Sequence, residues 1–87
     1  MPTVYALTDP RTREIRYVGV SDDPLRRWRE HVFAPSPTLA GWVAEVVWPE
    51  LRLLEVVTLG YKSPAEKHWI AEVTARGHRL LNRTRGG

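Results

Sequence analysis

From Tyr17-Val18-Gly19-Val20 the chain runs through Asp22-Asp23-Pro24 into a segment that holds Arg26, Arg27, Arg29 and His31. Arg27 and His31 are four residues apart and share one face of a helix. Leu25, Trp28 and Val32 form a second, apolar stripe suited to a core. A helix with one buried face and a separate cationic face is equipped to hold an anion. The residue type sharpens this. The net charge is +3, and eleven of the thirteen basic residues are arginine. A guanidinium grips phosphate oxygens with a planar fork that an ammonium lacks, which points toward a polyanionic partner. Arg76 to Gly87 adds four arginines, one histidine and no acid. This basic tail either follows a phosphate backbone or is a solvated end. By itself the arginine helix also reads as a solvated surface in which Arg26, Arg27 and Arg29 pair with Glu30 and Asp23.

Eighty-seven residues make one small domain. The absence of cysteine excludes disulfides and thiolate metal sites. No apolar run is long enough to span a membrane. Met1-Pro2-Thr3 leads straight into Val-Tyr-Ala-Leu, unlike a signal peptide, so a soluble, intracellular (cytoplasmic) protein is expected.

The elements that must position these residues follow from periodicity and breakers. Thr3 to Thr8 and Ile15 to Val20 read as strands joined by the turn that Asp9-Pro10 opens. A hairpin centred near Arg11 places Tyr5 opposite Tyr17, with both rings on one face. Three helices are expected to start alike, with an N-cap before a proline: Asp23-Pro24, Ser36-Pro37 and Ser63-Pro64. The first runs from about Pro24 to about Phe33. The second runs from about Pro37 to Trp48, where Leu39, Trp42, Val43, Val46 and Val47 keep helical period until Pro49. Gly41 inside it suggests a close packing contact. Leu51 to Leu59 reads as a third strand, mostly buried on both faces. The last helix runs from Ser63 to about Arg76, with Gly77 as its stop. The order β-β-α-α-β-α is an α+β domain, a small three-stranded antiparallel sheet covered by helices. Trp28, Trp42 and Trp69 are assigned to the core. Trp48 is expected to be partly exposed and open to base stacking.

Tyr5, the Tyr17-Val18-Gly19 strand end, Arg27, His31, Glu66 with Trp69-Ile70, and Asn82 stand in one line along the chain. In this order and spacing the sequence resembles the GIY-YIG nuclease family. Thr3-Val4-Tyr5 stands for its first tripeptide and Tyr17-Val18-Gly19 for its second. Arg27 and His31 match its helix pair, Glu66-Lys67-His68-Trp69-Ile70 its Glu-x-x-Trp-Ile segment, and Asn82 its closing asparagine. The resemblance spans residues 3 to 82. It departs at Thr3, where the family usually has glycine, and at Val20, where many relatives have a polar or basic residue.

The resemblance implies hydrolysis of DNA phosphodiesters with one Mg²⁺ or Mn²⁺ per site. It makes Glu66 the metal ligand and Arg27 the stabiliser of transition-state charge. Tyr5 or Tyr17 would orient the attacking water or take its proton, which asks that cations lower a phenol pKa of about 10. His31 would bind phosphate or assist proton transfer, and Asn82 would position. Gly19 would end the strand or let a phosphate approach closely. Sequence specificity would come from a separate protein or a homodimer. A nucleic-acid-binding module with little or no cleavage is the alternative. Simpler roles stand beside these. Ser63 and Glu66 have the spacing of a capping box, Tyr5 and Tyr17 of a cross-strand pair, Asn82 of a turn residue. His68 and His78 read as surface or helix-end residues.

Overall fold

The computed structural model describes residues 1–82. The tail's Arg83 to Gly87 therefore lie outside the described residues. The elements are β1 (Thr3–Thr8), β2 (Ile15–Ser21), α1 (Pro24–Phe33), α2 (Pro37–Val46), β3 (Glu50–Val56) and α3 (Lys62–Ala75), with a 3-10 turn at Leu59–Tyr61. The sheet is antiparallel, in the order β2-β1-β3. β1 is its centre. Its side chains alternate between two layers. Val4 and Ala6 pack with Val18, Ile70 and Val73 on the α3 side. Tyr5 and Leu7 pack with Leu39, Trp42 and Val43 on the side of α1 and α2. Among the described residues no helix is long and apolar enough to cross a membrane.

The hairpin register differs from the one expected. Tyr5 pairs with Gly19 and Leu7 with Tyr17, with an irregularity between Leu7 and Thr8. The shift is two residues along β2, which preserves side-chain parity, so both tyrosine rings still share a face. The turn is set by Asp9. Its buried carboxylate accepts from the Arg11 backbone N–H at 2.8 Å and from the Arg11 Nη2 at 2.9 Å. The Trp42 indole N–H also points to it, at 3.3 Å.

Four expectations are corrected. The third strand is an edge, not a doubly buried strand: Leu53 and Val56 are exposed. Its apolar composition does not reveal that only one neighbour, β1, pairs with it. The second helix ends at Val46, because Val47 turns to φ 68° and leaves the helical region. Ser63 is not an N-cap: α3 already begins at Lys62, and no side chain caps it. Trp42 is buried, whereas Trp28 and Trp69 are only half-buried. The cap at Asp23 is formed, its carboxylate accepting from the Arg26 N–H at 3.1 Å. Gly77, at φ 95°, closes α3 as expected.

Gly41 makes no close contact; a β-carbon there would meet nothing within 4 Å. Its helical cost is therefore uncompensated. Gly41→Ala is expected to stabilise the fold by about 1 kcal/mol, raising the melting temperature by several degrees. An unchanged or lower melting temperature would show a constraint at Gly41 that the packing does not contain.

Candidate active site

Tyr5 sits at the middle of the central strand and is 1% exposed. Its hydroxyl lies 2.9 Å from His31 Nε2. The imidazole is brought there by α1, of whose residues His31 is the buried one. Tyr17 completes the cluster from β2. Its ring centroid lies 4.9 Å from that of His31 and 6.3 Å from that of Tyr5.

Gly19 explains how two tyrosines fit here. It is buried within β2 and stands directly opposite Tyr5. Directly opposed side chains in an antiparallel pair begin about 5 Å apart. Without a side chain at residue 19, the Tyr5 ring folds across β2 toward Tyr17. A β-carbon on Gly19 would lie 2.7 Å from the Tyr5 Oη and 3.0 Å from the Tyr17 ring. Gly19 is thus neither a strand terminator nor an open approach for phosphate. The strand continues to Ser21, and the space is filled by tyrosine.

The electrostatics depart from the expectation of a lowered phenol pKa. Burial pushes Tyr5 upward, the neighbouring Tyr17 adds to this, and the opposing charge of Arg27 does not offset it. Burial also raises Tyr17, against the smaller influence of Arg27. His31 moves the other way, down to about 4, mainly by burial and secondarily by the Arg27 charge. At neutral pH the cluster is therefore two neutral phenols and a neutral imidazole. Tyr5 Oη and His31 Nε2 share one hydrogen bond between neutral groups.

Arg27 flanks the cluster, half-exposed. It forms an ion pair with Glu30, which is the first cause of its raised pKa. Glu66 comes from α3, in the other layer. Its charge acts on the hydroxyls of both Tyr5 and Tyr17. It is half-buried, and burial raises its carboxyl pKa. Since α3 starts at Lys62, Glu66 is not the partner of a capping serine. Among the described residues no hydrogen bond or ion pair engages it. Tyr5, Tyr17, Gly19 and His31 are therefore clustered, with Arg27 flanking them, whereas Glu66 acts on the two phenols as a charge from α3.

Asn82 has a different place. Its Oδ1 accepts from the Val18 N–H at 3.0 Å and its Nδ2 donates to the Val18 carbonyl at 2.7 Å. It pairs with the outer edge of β2. His78, expected at the surface, does related work: its Nδ1 accepts from the Ile15 N–H at 2.8 Å. Leu81 N–H adds a bond to the Arg16 carbonyl. A sequence signal for this edge pairing is hard to find, because the partners are more than sixty residues apart. Val20, one of the two departures, packs on the α3 side of the sheet, away from the tyrosine rings. A groove of about 470 Å³ between the end of β3 and α3, lined in part by Glu55, Tyr61 and His68, takes in neither Tyr5 nor Tyr17.

Compared with protein-family models, with curated proteins and with solved structures, the chain shows no match to any.

Two outcomes follow from this geometry. Gly19→Ala must displace both rings, so a loss of about 1–3 kcal/mol is expected in urea unfolding. A variant as stable as the parent would mean that the rings move aside freely. The second concerns pH. The unfolded chain protonates His31 near 6.5, whereas the native chain resists until about 4. Native stability is complete above 6.5 and falls as the pH drops through that window, by at most about 1.4 kcal/mol per pH unit. His31→Gln should flatten the difference between unfolding at neutral pH and at pH near 4.5. Equal slopes in both proteins would show that His31 is not held neutral.

Proposed function

We propose that the chain is a divalent-metal-dependent endonuclease of the GIY-YIG type, acting on DNA. One observation carries the reading. Two tyrosines, an arginine, a histidine and a carboxylate from four different elements share one electrostatic neighbourhood, although they lie up to sixty-one residues apart in sequence. An ordinary cross-strand tyrosine pair does not require a glycine opposite it, a buried imidazole on it and a carboxylate near it.

The residues fit a Mg²⁺ or Mn²⁺ ion. Mg²⁺ favours one or two carboxylates together with water and substrate phosphate over an all-protein cage. Glu66 offers a half-buried carboxylate with free oxygens, and would hold the ion. When bound, the ion supplies neutralisation at the phosphate and a more acidic water.

The chain's own groups supply the rest. Arg27 binds the non-bridging phosphate oxygens and meets the charge that grows on them in the transition state. To do so its guanidinium shares or leaves Glu30. Tyr17, more accessible than Tyr5, orients the attacking water. The raised pKa values make a standing phenolate unfavourable, so the proton moves by relay. The water's proton passes to the Tyr17 oxygen as Tyr17 gives its own to Tyr5 and Tyr5 gives its own to an unprotonated His31 Nε2, so both phenols stay neutral and His31 carries the proton beside the anionic phosphate. Asn82 holds β2 and does not touch the reaction.

A second reading rests on the same electrostatics. With both phenols raised and His31 low, no group is a ready base. This favours a nucleic-acid-binding module with little cleavage. In either reading, sequence specificity would be supplied by a separate protein or by a second copy of the chain.

Incubation with supercoiled plasmid in Mg²⁺, Mn²⁺ or EDTA separates the two. Metal-dependent nicking is expected, lost in Glu66→Ala and slowed at least about tenfold in Arg27→Ala. Because Glu66 caps nothing, its removal should leave stability within about 0.5 kcal/mol. Full cleavage by Glu66→Ala would refute the site. DNA binding without cleavage by the parent would favour the binding module.

A further inference from the structure

The solvent side of α1 carries an aromatic surface that the proposed chemistry does not use. Phe33 is 70% exposed and Trp48 is 56% exposed. Trp48 stacks on Trp28 with centroids 6.0 Å apart and planes inclined by 22°. Phe33 meets Trp48 edge-on, also at 6.0 Å. The arrangement is built from below. The Trp28 indole N–H donates to the Pro49 carbonyl at 2.7 Å. Val47 takes φ 68°, rare for a β-branched residue, and the chain turns there to lay Trp48 over Trp28.

Rings held rigidly in water are contact area that costs little entropy to use. Charge says what they would contact. At about 100° per residue, Arg27, Arg26 and Arg29 follow one another around α1, from the flank that carries His31 over the exposed side. Phe33 lies one turn beyond Arg29 on that same side. Glu30 sits within the arc and pairs with Arg26 at 3.5 Å and with Arg27. Asp22 and Asp23 stand at the head of the helix, Asp23 held there as its cap, so the cation of the arc without an ion-pair partner among the described residues is Arg29, one turn before Phe33. A helix is about 10–12 Å across, so a strand engaged at Arg27 reaches the aromatic surface within a few nucleotides.

We propose that Trp48 and Phe33 stack unpaired bases of a nucleic-acid strand whose phosphates follow this arginine arc. This rests on the nuclease reading for its biological sense and narrows its substrate class: DNA with unpaired bases beside the cut bond, as in single strands, flaps or branches. Paired bases expose no ring face to the platform except at an end.

The test is binding by the whole chain in EDTA, so that cleavage plays no part. Fluorescence anisotropy compares a short labelled single strand with an abasic strand of equal length, which keeps the phosphates and loses the bases. The parent should favour the strand with bases by about tenfold. Trp48→Ala and Phe33→Ala should each reduce that preference and leave abasic binding unchanged. Arg29→Ala should weaken both strands and lower the salt slope by about one. Quenching of indole fluorescence on binding should diminish in Trp48→Ala. Equal affinity for the two strands overturns the proposal. So does a concentration-dependent dimer that Trp48→Ala dissolves, since a second copy would then be what covers the rings. Failure of the nuclease reading is separable: base-dependent binding without cleavage of either plasmid or a flapped duplex in Mg²⁺ upholds the platform and rejects the enzyme, and the reverse pair of results does the opposite.

Discussion

A phenol and an imidazole buried against each other fix what the tyrosine face can be. Neither Tyr5 nor His31 could be placed there alone, since a buried polar atom without a partner costs about 1–3 kcal/mol. Together they satisfy one another across the contact between the central strand and α1. The bond sets the height of α1 over the sheet, and with it the position of Arg27 one turn earlier. It also sets the requirement at residue 19, because the ring that reaches His31 occupies the volume a side chain on β2 would need. A glycine in a strand ordinarily weakens it. Here its small size admits the hydrogen bond that joins two layers.

The same burial decides the charge states. A cation beside a phenol lowers its pKa, and desolvation raises it. Arg27 is half-exposed and already neutralised in part by Glu30, so its field is weak where the tyrosines lie deepest. Burial prevails at both phenols. Neither phenol stands as a charged base near neutral pH. Burial raises the carboxyl pKa of Glu66 as well.

Much of the fold was legible in the sequence where the signal is local. Asp23-Pro24 marks the start of α1, the period of Leu39, Trp42 and Val43 marks the core face of α2, and Gly77 marks the end of α3. The shared face of Tyr5 and Tyr17 was legible too, even with the register wrong, because an error of two residues leaves parity intact. The failures have a common cause. Whether β3 is central or an edge depends on what lies beside it, and Leu51 to Val56 reads alike in both settings. Ser63-Pro64-Ala65-Glu66 has the spacing of a cap, but the 3-10 turn at Leu59–Tyr61 feeds straight into Lys62 and starts the helix before the serine. Of the candidate site, residue types and their grouping were readable; the direction of the phenol pKa shifts was not, because desolvation is a property of the assembled layers.

Asn82 shows how far residue type can be explained before chemistry is invoked. β2 is an outer strand, and an outer strand leaves every second N–H and C=O unpaired. The C-terminal segment closes part of that edge, with His78, the Leu81 backbone and Asn82 taking successive positions along it. At Val18 a side-chain amide replaces a peptide group: it accepts and donates within a single planar unit, as a paired strand would. Aspartate would present only acceptors and leave the Val18 carbonyl without a donor, and an apolar residue would leave both groups bare. Val18 lies between Tyr17 and Gly19, so what Asn82 holds from outside is the backbone that spaces the ring from the gap that admits its neighbour. Hydrogen-bond arithmetic alone accounts for an amide at that point.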